Sequence, residues 1–126
     1  NQDELEGLFQ VKMSTKEEMF AYAKQLQKMG ACSVLISLGG NGALLLTEHG
    51  EQMQLDAPKG KVRNAVGAGD SMVAGFLAGY MEHASYGEAF RTAVAAGSAS
   101  AFSEHLATRA EIEQILPLLL DSYQIQ

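Results

Sequence analysis

Asn64-Ala65-Val66-Gly67-Ala68-Gly69-Asp70-Ser71-Met72 is a glycine-rich turn that runs directly into an apolar, helix-spaced stretch. Glycines at 67 and 69 let the backbone bend tightly and let its N–H groups approach an anion, and the N-terminus of the following helix adds partial positive charge. A phosphate suits such a place. Asp70 stands in the first turn of that helix, where a carboxylate can accept the proton of a hydroxyl attacking a phosphoryl group. The same residues also suit a plain tight loop with an acidic cap, because helix N-termini favour Asp, and spacing alone leaves both readings open. Other glycine motifs fit worse: there is no Gly-Lys-Ser or Gly-Lys-Thr of a P-loop and no six-residue dinucleotide fingerprint. A membrane aspartyl protease with a Gly-x-Gly-Asp motif needs transmembrane helices, and no apolar run approaches the ~18 residues that cross a bilayer.

The turn sits in an alternation of helices and strands. Asp3 to Phe9 begins with acidic residues and carries Leu5, Leu8 and Phe9 at helical spacing. Ser14-x-x-Glu17 reads as a capping box for a second helix, with Met19, Phe20, Ala23, Leu26 and Met29 on one face and Gly30 as its stop. Ser33 to Leu38 is an apolar run ended by Gly39-Gly40-Asn41-Gly42, the pattern of a buried strand entering a tight turn. Ala43 to Thr47 and Glu51 to Leu55 flank Glu48-His49-Gly50 and predict a hairpin, so a mixed sheet is expected. Asp56 to Arg63 has loop chemistry. Asp70 to Glu82 and Tyr86 to Phe102 are helices without a strongly polar face and are expected to be largely buried. Thr108-x-x-Glu111 opens a last helix through Ile112, Ile115, Leu116 and Leu119, which Pro117 should kink or shorten.

Composition narrows the function classes. At 126 residues the chain has room for one compact unit, and 47% apolar with 19% charged residues is ordinary for a globular domain. Nine Lys and Arg against fifteen Asp and Glu give a net charge of −6, which argues against a nucleic-acid grip built on phosphate contacts. The single Cys32 cannot form an internal disulfide, and no Cys/His set has zinc spacing, so a reducing cytoplasm is the expected compartment. Cys32 itself is expected in the core, as are Met13, Met19, Met29, Met72 and Met81. His49, His83 and His105 stand alone. Lys59, Lys61 and Arg63 read as a solvated basic loop. The chain opens on Asn1 without an initiator Met, at residues that already read as the start of a helix, so a piece of a longer protein is expected.

Val66-Gly67-Ala68-Gly69-Asp70-Ser71, followed by Met72 to Leu77, resembles the C-terminal signature of the ribokinase/phosphofructokinase-B family of carbohydrate kinases. The resemblance extends over nearly the whole chain. Asn1-Gln2-Asp3-Glu4 is similar to that family's Asn-x-x-Glu motif, Ser37 to Ala43 to its nucleotide-binding strand end, and Ala93 to Phe102 to its adenine-flanking helix. The implied fold is α/β and ribokinase-like: the C-terminal portion of a sheet flanked by helices. Residues 1–126 would form the ATP-binding and catalytic part, with the sugar-binding half absent.

The resemblance also implies roles. Asp70 would be the general base, with the N–H groups around Gly67, Ala68, Gly69 and Asp70 forming an anion hole. Ser37, Gly39, Gly40 and Gly42 would meet the ATP phosphates and ribose; Ala96, Gly97 and Ser100 would leave a slot for adenine. Close helix packing explains the same small residues equally well. Asn1 and Glu4 would hold Mg²⁺ through water. Asn64-Ala65 stands where many family sequences have Asp-Thr, an Asp that some members use in a monovalent-cation loop. Together with Gly97 to Ser103 and Leu106-Ala107-Thr108-Arg109, that segment looks most like the branch that phosphorylates fructose 1-phosphate at its 6-hydroxyl. Tagatose-6-phosphate kinases are the alternative, and a non-catalytic nucleotide-binding module is an alternative of another class. ATP and a ketose phosphate are the implied partners, with no nucleic acid and no membrane. Family members commonly dimerise through lid strands upstream of this part, which implies a homodimer for the intact protein and inactivity for the part alone. An unpaired sheet edge is expected where the strands of the absent half would lie.

Overall fold

The computed structural model describes residues 1–119 and 123–125. Two helices, α1 (Gln2–Phe9) and α2 (Lys16–Lys28), precede three strands, β1 (Val34–Ser37), β2 (Ala43–Leu46) and β3 (Gln52–Leu55). Helices α3 (Ala68–His83), α4 (Tyr86–Phe102) and α5 (Arg109–Ile115) follow, and a strand β4 (Tyr123–Ile125) closes the described chain.

The sheet has the order β1-β2-β3-β4, and every described pairing is antiparallel rather than mixed. Short connections force this. Leu38 N donates to Gly42 O at 2.8 Å across the first turn and Gly50 N to Thr47 O at 2.9 Å across the second, whereas a parallel pair needs a long crossover. Among the described strands β1 has a partner on one side only.

Strand β2 lies at the centre in both directions. Leu44 and Leu46 join Val34 and Ile36 against α1 and α2, where Leu5, Met19, Phe20 and Ala23 are buried. Ala43 and Leu45 point the other way, onto Phe90, Val94 and Ala95 of α4. A strand buried on both faces reads as a continuous apolar run, and Ala43 to Leu46 are each 1% exposed. Each leucine contributes roughly 1.5–3 kcal/mol by burial. The result is a helix-sheet-helix sandwich with α1 and α2 on one face and α4, α5 and the inner side of α3 on the other.

Several expectations need correction. Thr15, not Ser14, caps α2: its hydroxyl accepts from Glu18 N at 3.1 Å, and Ser14 Oγ donates to Glu18 Oε1 at 3.3 Å. Both hydroxyl residues have a glutamate three positions on, so the sequence holds two overlapping boxes. Cys32 is exposed, because it lies in the bend before β1 rather than in the strand. Met29 caps the end of α2 and is 69% exposed, and Met81 on α3 is 86% exposed; Met13 and Met19 are in the core as expected. Helix α4 is buried along its length, but α3 is not, for Val73 and Leu77 also lie largely in solvent. The capping box of Thr108 and Glu111 is present, and α5 ends at Ile115 before a single 3₁₀ turn that holds Pro117. Among the described residues no helix is long and apolar enough to cross a membrane.

Glycines set the distance between α3 and α4. A Cβ at Gly75 would stand 2.7 Å from Ala96 Cβ and 2.8 Å from Thr92 O, and one at Gly79 would stand 2.8 Å from Thr92 Oγ1. Gly75→Ala is therefore expected to cost about 1–3 kcal/mol through overpacking, measured by urea denaturation, although alanine is the better helix former.

Helix α1 is tied down by a buried carboxylate. Glu6, 7% exposed, accepts from Gln2 Nε2 at 2.9 Å and Met13 N at 3.4 Å, and pairs with Lys12 Nζ at 3.1 Å. The bonds from Gln2 and then Lys12 hold its carboxyl below the ordinary 4.5 despite burial. A carboxyl depressed in the folded state stabilises above its unfolded value and ceases to do so as pH falls through its folded value. Glu6→Gln should thus be less stable than the parent at pH 7, with the gap closing below about pH 4.5 in denaturation midpoints taken across that range.

Candidate active site

The glycine turn opens on a cavity of ≈ 530 Å³, well within the ~300–1,000 Å³ typical of small-ligand sites. One wall is the end of β1 and the following 3₁₀ turn, with Ser37, Gly39, Gly40 and Gly42. The facing wall is the start of α3, through Ala68, Gly69 and Met72, and the side of α4 that carries Gly97 and Ser98. Asn1 borders it as well. Three separate stretches of the sequence thus converge as the motifs implied.

Local chemistry explains each wall. Gly42 has φ +88°, and a Cβ there would collide with Leu55 O and come within 2.8 Å of Ala57 N. The turn can close against β3 only without a side chain. Gly40 faces open space. At the other wall Gly67 is the N-cap of α3 with φ +84°, and no side chain caps the first turn, so the Gly69 and Asp70 N–H groups remain available to a ligand, whereas that of Ala68, also expected in the anion hole, does not. Ala68 N is spent on Ala65 O at 3.2 Å and Ser71 N on Gly67 O at 2.9 Å. Val66 N donates to Asn64 Oδ1 at 3.0 Å, a side-chain turn that shapes the approach to Gly67.

Not every expected residue faces the cavity. Ala96 and Ser100 do not line it: Ala96, 1% exposed, packs on Gly75, and Ser100 Oγ is engaged by Ser71 and Ala107. Gly97 does line it, and a Cβ there would also stand 3.2 Å from Ala68 O, so this glycine serves both the slot and the α3–α4 contact. Asp70 is exposed in the first turn of α3, beside the cavity lining rather than in it. Lys59 is the one member of the basic run on the wall, while Arg63 pairs with Glu104 at 3.5 Å. The wall contributed by Pro58, Val62 and Phe102 was not foreseen. Pro58 and Val62 lie in a stretch that reads only as loop, and Phe102 ends α4, where a ring within 2.8 Å of a Gly60 Cβ position shows why residue 60 has no side chain.

Asn1 and Glu4 form a reciprocal cap on α1: Asn1 Oδ1 accepts from Glu4 N at 2.9 Å, and Glu4 Oε2 accepts from the Asn1 backbone nitrogen at 2.6 Å. Glu4 is 77% exposed and lines a shallow groove beside β1, not the large cavity. No cluster of three His, Cys, Asp or Glu side chains exists among the described residues, so a closed metal cage is not what this donor set offers. A hard cation that keeps most of its waters and borrows one or two oxygens fits it.

Residues 1–113 match the sequence profile of the pfkB family of carbohydrate kinases. The chain belongs to that family. It is 46% identical over 117 residues to 1-phosphofructokinase of Bacillus subtilis (strain 168), which covers 93% of this chain and 38% of the relative. It is 40% identical over 115 residues to D-tagatose-1-phosphate kinase of Bacillus licheniformis, covering 90% of this chain and 38% of that protein. The solved structure of Arabidopsis thaliana ribokinase complexed with ribose and ATP superimposes with a TM-score of 0.82 at 27% identity, over 92% of this chain and 39% of the ribokinase. The fold is thus that of the ribokinase-like kinases, and this pfkB chain spans under two-fifths of the length of the relatives it matches.

The two glycines of the strand end separate experimentally. Gly42→Ala combines a left-handed φ with backbone overlap and should cost about 3 kcal/mol or more. Gly40→Ala should leave the urea midpoint within about 0.5 kcal/mol, since nothing lies within 4 Å of where its methyl would stand.

Proposed function

We propose that the protein to which this chain belongs is an ATP-dependent kinase that phosphorylates fructose 1-phosphate at its 6-hydroxyl to give fructose 1,6-bisphosphate. The observation that carries this is the uncapped start of α3, with Ala68 and Gly69 on a nucleotide-sized cavity and Asp70 one residue further along. The family is one of carbohydrate kinases, and the similarity to a 1-phosphofructokinase supports the substrate. The similarity to a D-tagatose-1-phosphate kinase makes tagatose 1-phosphate, rather than the 6-phosphate considered from the sequence, the second ketose phosphate to test.

In this mechanism ATP lies between the β1 end and α4, with adenine beside Gly97 and the phosphates over Gly40 and Gly42. The free N–H groups at the start of α3 meet the transferring phosphoryl and stabilise the charge that develops on it. Asp70 accepts the proton of the attacking hydroxyl as its oxygen bonds to the γ-phosphorus and the bond to the ADP oxygen breaks. Lys59 at the cavity wall adds positive charge. Asn1 and Glu4 would hold a water-ligated Mg²⁺, which supplies charge neutralisation to the phosphates when bound.

We assign the enzyme to the cytoplasm, in keeping with an exposed, unpaired thiol at Cys32. A homodimer is the assembly we propose for the intact protein, and residues 1–126 alone should lack the sugar side of the site. In the intact protein Asp70→Asn should keep ATP affinity and lower kcat by about 10²–10⁴-fold, in a coupled ADP-release assay with fructose 1-phosphate and tagatose 1-phosphate as acceptors. An unchanged kcat would remove Asp70 from the mechanism, and ATP binding without turnover on any ketose phosphate would favour a nucleotide-binding module.

A further inference from the structure

We propose that Ser100 is a positioning residue that fixes the glycine turn and thereby the placement of Asp70, an inference that rests on the kinase reading above. Ser100 is 2% exposed on the last turn of α4, and its Oγ donates to Ser71 Oγ at 2.8 Å while accepting from Ala107 N at 3.0 Å. Its hydroxyl is thus fully used, and one of its partners is the residue directly after Asp70. The next residue of α4 holds the other end of the same segment: Ala101 O accepts from Arg63 N at 2.8 Å and from Asn64 N at 3.1 Å.

Two consecutive residues of α4 therefore hold both ends of the stretch from Arg63 to Ser71. The loop after α4 closes over its middle. The bond from Ala107 N to Ser100 Oγ anchors that loop, and Leu106 Cδ2 sits 2.6 Å from where a Gly67 Cβ would be, so the side chain fills the space that residue leaves. Ser100 bonds both to the start of α3, at Ser71, and to the returning loop, at Ala107. Without the bond to Ser100, Ser71 keeps only its backbone bond to Gly67 O, which makes no connection to α4.

A displacement of about 1 Å in a reacting group can cost on the order of 10²-fold in rate. In the intact protein, Ser100→Ala and Ser71→Ala should each lower kcat by about 10–100-fold with KM for ATP changed less than about threefold. The double variant should be no worse than Ser100→Ala alone, because the one side-chain bond that Ser71→Ala removes is already lost there. Amide hydrogen exchange over residues 63–72 should accelerate in both variants, with the middle of α4 as protected as in the parent. A twofold or smaller change in kcat together with unchanged exchange over 63–72 would overturn the proposal, as would additive effects in the double variant. If Ser100→Ala does not fold, Ser71→Ala, at a half-buried site, carries the same test. Asp70→Asn separates the two ideas: full turnover in that variant sinks the kinase mechanism, whereas exchange over 63–72 still decides the role of Ser100.

Discussion

The close approach of α3 to α4 is the contact from which the site's geometry follows. Gly75 and Gly79 on α3 meet Ala89, Thr92, Ala93 and Ala96 on α4 with no room for a Cβ between them. Helix axes this near gain dispersion contacts along their length, and α4 is itself buried against Leu45 and Leu55 of the sheet. Because α4 is fixed to the sheet, so is α3, and the first turn of α3 lies across from the end of β1. The anion turn is thereby held by rigid elements on both sides rather than carried on a free loop.

The opposite wall depends on a second steric condition. Gly42 lets the β1–β2 turn close against the backbone of Leu55 to Ala57, which brings Ser37, Gly39 and Gly40 to the cavity and starts the loop that carries Lys59 across it. Each wall is therefore set by glycines used for contact, and the cavity is the space the two contacts leave. Gly97 belongs to both systems, since it touches Ala68 O and lines the cavity.

The sequence was legible where a local signal has one physical meaning. Ala43 to Thr47, flanking the Glu48-His49-Gly50 turn, reads as one arm of a hairpin, and Thr108 with Glu111 as the capping box that opens a helix; both are so. It was less legible where small size has two meanings. Ala96, Gly97 and Ser100 are all small, yet only Gly97 lines the cavity, while Ala96 fills the helix crossing and Ser100 spends its hydroxyl on Ser71 and Ala107. Rotation about a helix decides this, and residue type does not report it. The apolar face of α3 misled for a different reason: Val73, Leu77 and Met81 carry the periodicity of a buried stripe but are 56%, 58% and 86% exposed in this chain. Apolarity states what a face can pack against, whereas burial also depends on what lies beside it. Asn1 and Glu4, expected as metal ligands, also cap α1 by bonding to each other, a second use of such residues that the resemblance does not report.

For the phosphoryl transfer proposed above, the orientation of the first turn of α3 carries the chemistry further than its composition. At 3.6 residues per turn, consecutive positions lie about 100° apart around the helix, so Ala68, Gly69 and Met72 can face the cavity while Asp70 turns out of it. Displacement at phosphorus needs the attacking and leaving oxygens roughly in line, on opposite sides of the phosphoryl group. A helix start that presents N–H donors toward the nucleotide and a carboxylate toward the outside meets that demand without any side chain reaching across. Asp70 also heads the exposed line of Val73, Leu77 and Met81, at helical intervals of three, four and four residues. In the proposed transfer the acceptor meets Asp70 from outside the residues that line the cavity. For that proposed reaction, one residue of rotation at the helix N-terminus separates the donor side of the turn from the acceptor side, so the fixing of this turn sets the placement of both.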